Sequence, residues 1–200
     1  MNTTEKTAGK KAGIQTITQV AVMTAVIAVV SQLSIPMPAG VPMTLQTFII
    51  PLAALVLGTK KGTLATLLYV LIGIVGVPVF SGLSGGPGVA FGITGGFIIS
   101  FPLMALAAGL AGEKAEKLRP SGKSAAAAVI IAGLVIGAVI NYLAGMGWFS
   151  KFTGSSMKEA FVLCVLPFLP TTVVKIAAAA WIGPALRKTL RRAGVLDGTA

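Results

Sequence analysis

Lys175 is the one ionisable side chain that falls inside a long apolar stretch of this sequence, and a charge in such a setting is a functional candidate by default. If the last helix begins at Pro170, Lys175 lies within two turns of its start. Two readings are open: an ammonium facing a cavity and holding a carboxylate, or a lysine snorkelling to the headgroups. A second candidate is the run Gly40-Val41-Pro42-Met43-Thr44-Leu45-Gln46-Thr47-Phe48. It sets Thr44, Gln46 and Thr47 at the opening of an apolar segment, where they could hydrogen-bond a neutral polar ligand. Thr44 could equally cap the helix, whereas a glutamine in an apolar helix needs a partner. Asn141 and Tyr142 sit deep in another apolar segment, and could line a cavity or bridge helices. Trp148, closing that segment, reads as an interfacial anchor.

Other chemistries are excluded. The chain has no His and one Cys, Cys164, so a disulfide framework and the usual zinc or copper sites are absent. No carboxylate pair lies in an apolar stretch, and there is no nucleophile elbow; catalysis, metal and cofactor are not expected. The glycines from Gly82 to Gly96 follow an apolar helix rather than a strand, and lack the Gly-Lys-Ser/Thr ending of a phosphate loop. They suit a flexible lid, with close helix packing at Thr94-Gly95-Gly96.

The elements that must position these residues are membrane helices. The chain of 200 residues is 55% hydrophobic and 10% charged, with mean hydropathy +0.92, against about 25% charged residues in an ordinary soluble chain. No charge occurs between Lys11 and Lys60, or from Gly62 through Gly112, and runs that long must fold back through a bilayer. The net charge of +11 does not make a nucleic-acid surface, because the basic residues lie in short stretches between apolar segments.

The expected fold is all-α: a six-helix transmembrane bundle over residues 14–192, between a basic tail, 1–13, and a short C-terminal tail, 193–200. The expected spans are Ile17–Ile35, a short Leu45–Leu57, Gly62–Phe80, Val89–Gly112, Ala125–Trp148 and a last one starting near Pro170 within Ala160–Leu186. A polar connection, Glu113–Ser124, separates the fourth and fifth. The first follows a basic stretch without a signal-peptide cleavage site, and reads as a retained helix. Thirteen of the sixteen Lys and Arg fall on one side: Lys6, Lys10, Lys11, Lys60, Lys61, Lys114, Lys117, Arg119, Lys123, Arg187, Lys188, Arg191 and Arg192. Only Lys151 and Lys158 fall on the other, so both termini are expected in the cytoplasm. In the first span, Ala21 and Ala25 stand four apart, a spacing that lets another helix approach closely, within this bundle or from outside it.

Gly40–Phe48, Gly76-Val77-Pro78-Val79-Phe80 with Gly85-Gly86, Thr94-Gly95-Gly96-Phe97, and Pro167-Phe168 leading to Lys175 occur in a recognisable order. From about Ile14 to Arg192 the chain resembles the BioY family, the biotin-specific substrate-binding (S) components of energy-coupling-factor transporters. The resemblance implies a multi-pass prokaryotic plasma-membrane protein that binds biotin near its outer face, and is not an enzyme. It would work with a transmembrane coupling subunit and two cytoplasmic ATPases. It also implies a binding set of Thr44, Gln46, Phe80, Gly82, Thr94, Asn141, Tyr142, Thr172 and Lys175, with Ala21 and Ala25 facing the coupling subunit. Two positions depart from the family pattern: Thr172 stands where an acidic residue often precedes the lysine by three, and Ile93 replaces the usual Pro before Thr94. Thr172 cannot pair ionically with Lys175, which leaves the ammonium freer for an anionic ligand. The alternatives are a self-sufficient secondary transporter, an S component for another small carboxylate, or a membrane enzyme or structural subunit.

Overall fold

The computed structural model describes residues 3–120 and 122–196, with side chains from residue 13 onward. It is helical almost throughout: α1 (Thr3–Val30), β1 (Ser34–Ile35), β2 (Met43–Thr44), α2 (Gln46–Leu57), α3 (Thr59–Val75), α4 (Pro87–Ala90), α5 (Gly95–Leu118), α6 (Lys123–Thr153), α7 (Met157–Cys164) and α8 (Leu169–Arg192). Four stretches are long and apolar enough to cross a bilayer: Gly13–Val30, Gly95–Leu118, Lys123–Thr153 and Met157–Arg192.

Helix α2 is apolar on every side, and its residues from Ile49 through Val56 are all buried. A helix without a polar face belongs at the centre of a bundle; α1, α3, α5 and α8 pack around it. Its 12 residues span about 18 Å at 1.5 Å per residue, as short as the sequence suggests. Gly58, at φ +89°, turns the chain straight into α3. The outward faces are as apolar as the inside: Val29 is 71% exposed, Val173 67% and Trp181 80%. Surfaces of that kind suit hydrocarbon rather than water.

The boundaries depart from expectation at several places. Helix α1 ends at Val30, not Ile35, because residues after Ser31 turn and pair as β1 with β2, Ser34 opposite Thr44. Helix α3 ends at Val75, not Phe80: Gly76 takes φ +115°, and the chain then folds into a tight bridge between Phe80 and Ser84. The fourth span opens at Gly95 rather than Val89, since residues from Pro87 form the separate short α4. Helix α5 then runs to Leu118, into the expected polar connection. The basic tail is helical from Thr3, and its first two residues lie outside the described residues. At the other terminus Val195 accepts hydrogen bonds from Gln15 and Gln19 of α1, and residues 197–200 lie outside the description.

Candidate functional site

The β1–β2 hairpin, the Phe80–Ser84 turn, α4, the start of α5, the middle of α6 and the start of α8 surround a cavity of about 390 Å³. Sites for small molecules usually occupy about 300–1,000 Å³. Seven of the nine expected binding residues line it: Thr44, Gln46, Phe80, Thr94, Asn141, Tyr142 and Lys175.

Lys175 is half-buried on α8, and its Nζ donates to the Thr44 carbonyl at 2.7 Å and to Thr47 Oγ1 at 3.0 Å. An ammonium has three donors, so one remains after the two contacts to β2 and α2. The snorkelling reading fails: the chain folds the lysine inward, across the bundle. Thr44 and Gln46 are tied together. The Thr44 hydroxyl donates to Gln46 Oε1 at 3.0 Å and accepts the Gln46 backbone N–H at 3.2 Å. Thr44 thus serves the first N–H of α2, although Leu45 occupies the cap position. The partner that Gln46 requires is Tyr69 of α3, whose oxygen accepts from Gln46 Nε2 at 2.7 Å. Tyr69 in turn meets Phe80 edge to face, centroids 5.6 Å apart, which fixes Phe80 as a wall.

Asn141 both bridges and lines. Its Nδ2 donates to the Phe97 carbonyl at 2.9 Å and to Ser100 Oγ at 2.9 Å, joining α6 to α5. Both amide hydrogens are then spent, and Oδ1 accepts from no donor among the described residues. An acceptor without a protein donor, on a cavity wall, suits a ligand N–H. Tyr142 bridges α6 to α8 through a short hydrogen bond to Thr172. The Thr172 hydroxyl donates to the Phe168 carbonyl at 2.9 Å, so the Tyr142 hydroxyl is the donor of that pair. Thr94, at the N-cap of α5, makes no side-chain cap bond, and its hydroxyl is available to the cavity.

Two expected contacts lie elsewhere. Thr172 stands behind Tyr142, lining a void of about 10 Å³ rather than the main cavity, because its hydroxyl is turned back onto its own helix start. Gly82 sits exposed at the turn tip with φ +71°, clear of the wall. The glycine-rich stretch is also more built than a loose lid. Gln32 pins it, donating to the Val79 carbonyl at 3.0 Å and accepting from the Leu83 N–H at 2.8 Å. Gly86 N–H donates to Gly73 O at 2.7 Å. Trp148 also clamps inward: its Nε1 donates to the Gly92 carbonyl at 2.8 Å, its ring edge lies against Gly95 and its Cβ against Gly96.

Residue-by-residue reading missed the apolar walls, Val41, Val89, Ile93, Phe97, Phe101 and Phe168. Phe97 and Phe101 stand four apart on α5 and share a face; that spacing was the available signal. No group of His, Cys, Asp or Glu that could hold a metal occurs among the described residues.

A largely helical chain with apolar outward faces and, at one end, a mainly apolar cavity lined by a single cation belongs to the class of membrane proteins that hold small solutes. A family model, the BioY family, matches residues 2–192. The chain is 39% identical over 168 residues to the probable biotin transporter BioY of Pyrococcus horikoshii, covering 84% of this chain and 93% of that one. It is 38% identical to the biotin transporter BioY of Thermotoga maritima, over 84% and 92% of the two chains. The fold matches a crystal structure of the S-component for biotin from an ECF-type ABC transporter with TM-score 0.76 and 26% identity, over 94% of this chain and 95% of that one. The chain is a member of the BioY family.

Proposed function

We propose that this protein is the biotin-binding subunit of an energy-coupling-factor transporter in the prokaryotic plasma membrane. It takes biotin from outside and delivers it inward with a transmembrane coupling subunit and two ATPases. The observation that carries this reading is the cavity. It offers one ammonium with a spare donor for a valerate carboxylate, aromatic and aliphatic walls for a thiophane ring and alkyl chain, and the unpaired Asn141 Oδ1 for a ureido N–H. Thr94 adds a hydroxyl that can donate to the ureido oxygen. The names of the relatives above point to the same vitamin. Binding at this site is a matter of hydrogen bonds and burial; no step there breaks a covalent bond.

Six crossings with both termini inside complete the proposal. Four long stretches supply most of them, and the shorter α2 and α3 traverse within the bundle. Lys61 bonds Gln19 at 2.7 Å, Gly58 lies beside Glu113 and Arg187, and Arg187 meets Glu116. The basic ends of α3, α5 and α8 thus share one end of the bundle, opposite the cavity, as a positive-inside arrangement requires.

Calorimetric titration of biotin into the detergent-purified chain, with thiamin and riboflavin as controls, tests the reading. Saturable binding of biotin alone is expected; a folded sample that ignores biotin would refute it. A secondary transporter would instead move biotin in liposomes without partner subunits.

Ala21 and Ala25 lie on the exposed face of α1, beside Val22 at 59% and Val29 at 71% exposure. Packing within this chain therefore does not explain the small pair, and a partner helix seated on that face does. Changing Ala21→Leu together with Ala25→Leu should leave biotin affinity within about twofold, as surface changes rarely exceed ±0.5 kcal/mol. Co-purification with the coupling subunit should be lost. Intact co-purification would remove these residues from the interface.

A further inference from the structure

At the end of the bundle opposite the biotin cavity, α2, α5, α6 and α8 enclose a second cavity of about 240 Å³. Its walls carry Arg119, Arg187, Lys188, Arg191 and Arg192, and Glu116 is the one carboxylate among its lining residues. Glu116 is already used twice. Its Oε2 takes Arg187 Nη2 at 3.0 Å and Arg191 Nη2 at 3.1 Å, while Oε1 takes Arg191 Nη1. Glu113, close by, accepts the Thr59 N–H at 2.8 Å. The Nε atoms of Arg187 and Arg191 are buried and have no acceptor. Arg119, Lys188 and Arg192 form no ion pair among the described residues.

A pocket with this excess of donors and positive charge lacks an anion. Guanidinium forks match the oxygens of a phosphate better than a single ammonium does. In the orientation proposed above, on which this inference rests, the cavity lies at the cytoplasmic end of the bundle, where basic pockets between transmembrane helices take anionic lipid headgroups. We propose that this cavity binds a phosphate oxyanion between α5 and α8, with Arg119, Lys188 and Arg192 at its rim and Arg187 and Arg191 at its base. Such an anion would neutralise the α5–α8 seam without touching the vitamin site.

Two sources of phosphate are distinguishable by experiment. Native mass spectrometry of the full chain, given equal phosphatidylglycerol and phosphatidylcholine of matched acyl chains, should retain phosphatidylglycerol selectively. Thermal shift with inorganic phosphate, at constant ionic strength against chloride, reports the free ion. The variant Lys188→Gln with Arg192→Gln alters only exposed rim residues, and its fold is checked by circular dichroism. About one kcal/mol for each basic residue near the surface corresponds to roughly fivefold per cation, so selectivity or phosphate affinity should fall more than tenfold. Arg119→Gln alone should lose about fivefold. Phosphatidylglycerol selectivity lost in the variants assigns the site to lipid; a phosphate shift lost in them assigns it to the free ion. Equal retention of both lipids with no phosphate shift overturns the proposal, and so does a preference that survives all three substitutions.

Discussion

Replacing Lys175 by alanine is expected to weaken biotin binding by about tenfold to a hundredfold. Hydrogen bonds to charged groups contribute about 1.5–3 kcal/mol, and each 1.4 kcal/mol is about tenfold in affinity. Lys175 is the only cation among the residues lining the main cavity, and two of its three donors hold Thr44 and Thr47. Its loss therefore acts in two ways: the carboxylate loses its partner, and the β2–α2 corner loses a tie. Biotinamide separates them, because it keeps the rings and chain but carries no charge. If Lys175 serves the carboxylate, the Lys175→Ala loss should be several-fold smaller for the amide than for the acid. Lys175→Gln, which can still donate to Thr44, should restore the corner but not the preference for the acid. Equal losses for acid and amide would mean that Lys175 only braces the corner, and unchanged affinity for both would remove it from the site.

Replacing Gly96 by valine should produce a large loss of stability at a position away from the ligand. A Cβ at Gly96 would run into the Ala144 carbonyl and the Trp148 side chain. The obstacle at Ala144 is backbone, which cannot swing aside, so α5 and α6 must separate. Overpacking of this kind costs about 1–3 kcal/mol, occasionally more, and at about 2–4 °C per kcal/mol for a chain of this size it should appear as a clear fall in Tm. Separation of the helices would also strain the Trp148 to Gly92 and Asn141 to Phe97 bonds, so biotin binding should decline with it. Gly147→Ala is the control, since a Cβ at Gly147 meets nothing within 4 Å. A Tm for Gly96→Val equal to that of the control would show that α5 and α6 are not held at this contact.

Sequence patterns were informative where a residue type admits few settings. A lysine in an apolar stretch, a glutamine at the mouth of an apolar helix and an asparagine deep within one all need polar partners, and all three line the cavity. Thr172 misled because its hydroxyl has a local alternative, the Phe168 carbonyl one turn back, which spacing alone does not reveal. Trp148 holds a contact that its position near a helix end does not reveal: Gly95 leaves room for the edge of its ring, and its Nε1 reaches the Gly92 carbonyl.

The sequence by itself determined the all-helical membrane character and the order of the long apolar segments, and its ordered motifs carried the resemblance to the family. The first two depend on composition and local order, which hydrophobicity and charge fix without reference to distant residues. Only the tertiary structure decided where α1 and α3 stop, that Lys175 reaches Thr44 across 131 positions of chain, and that Glu116 draws two arginines into one cavity. Each is settled by a partner remote in sequence. A buried polar group goes to whichever partner the packing brings within hydrogen-bond distance, and the linear order of residues does not say which one that is.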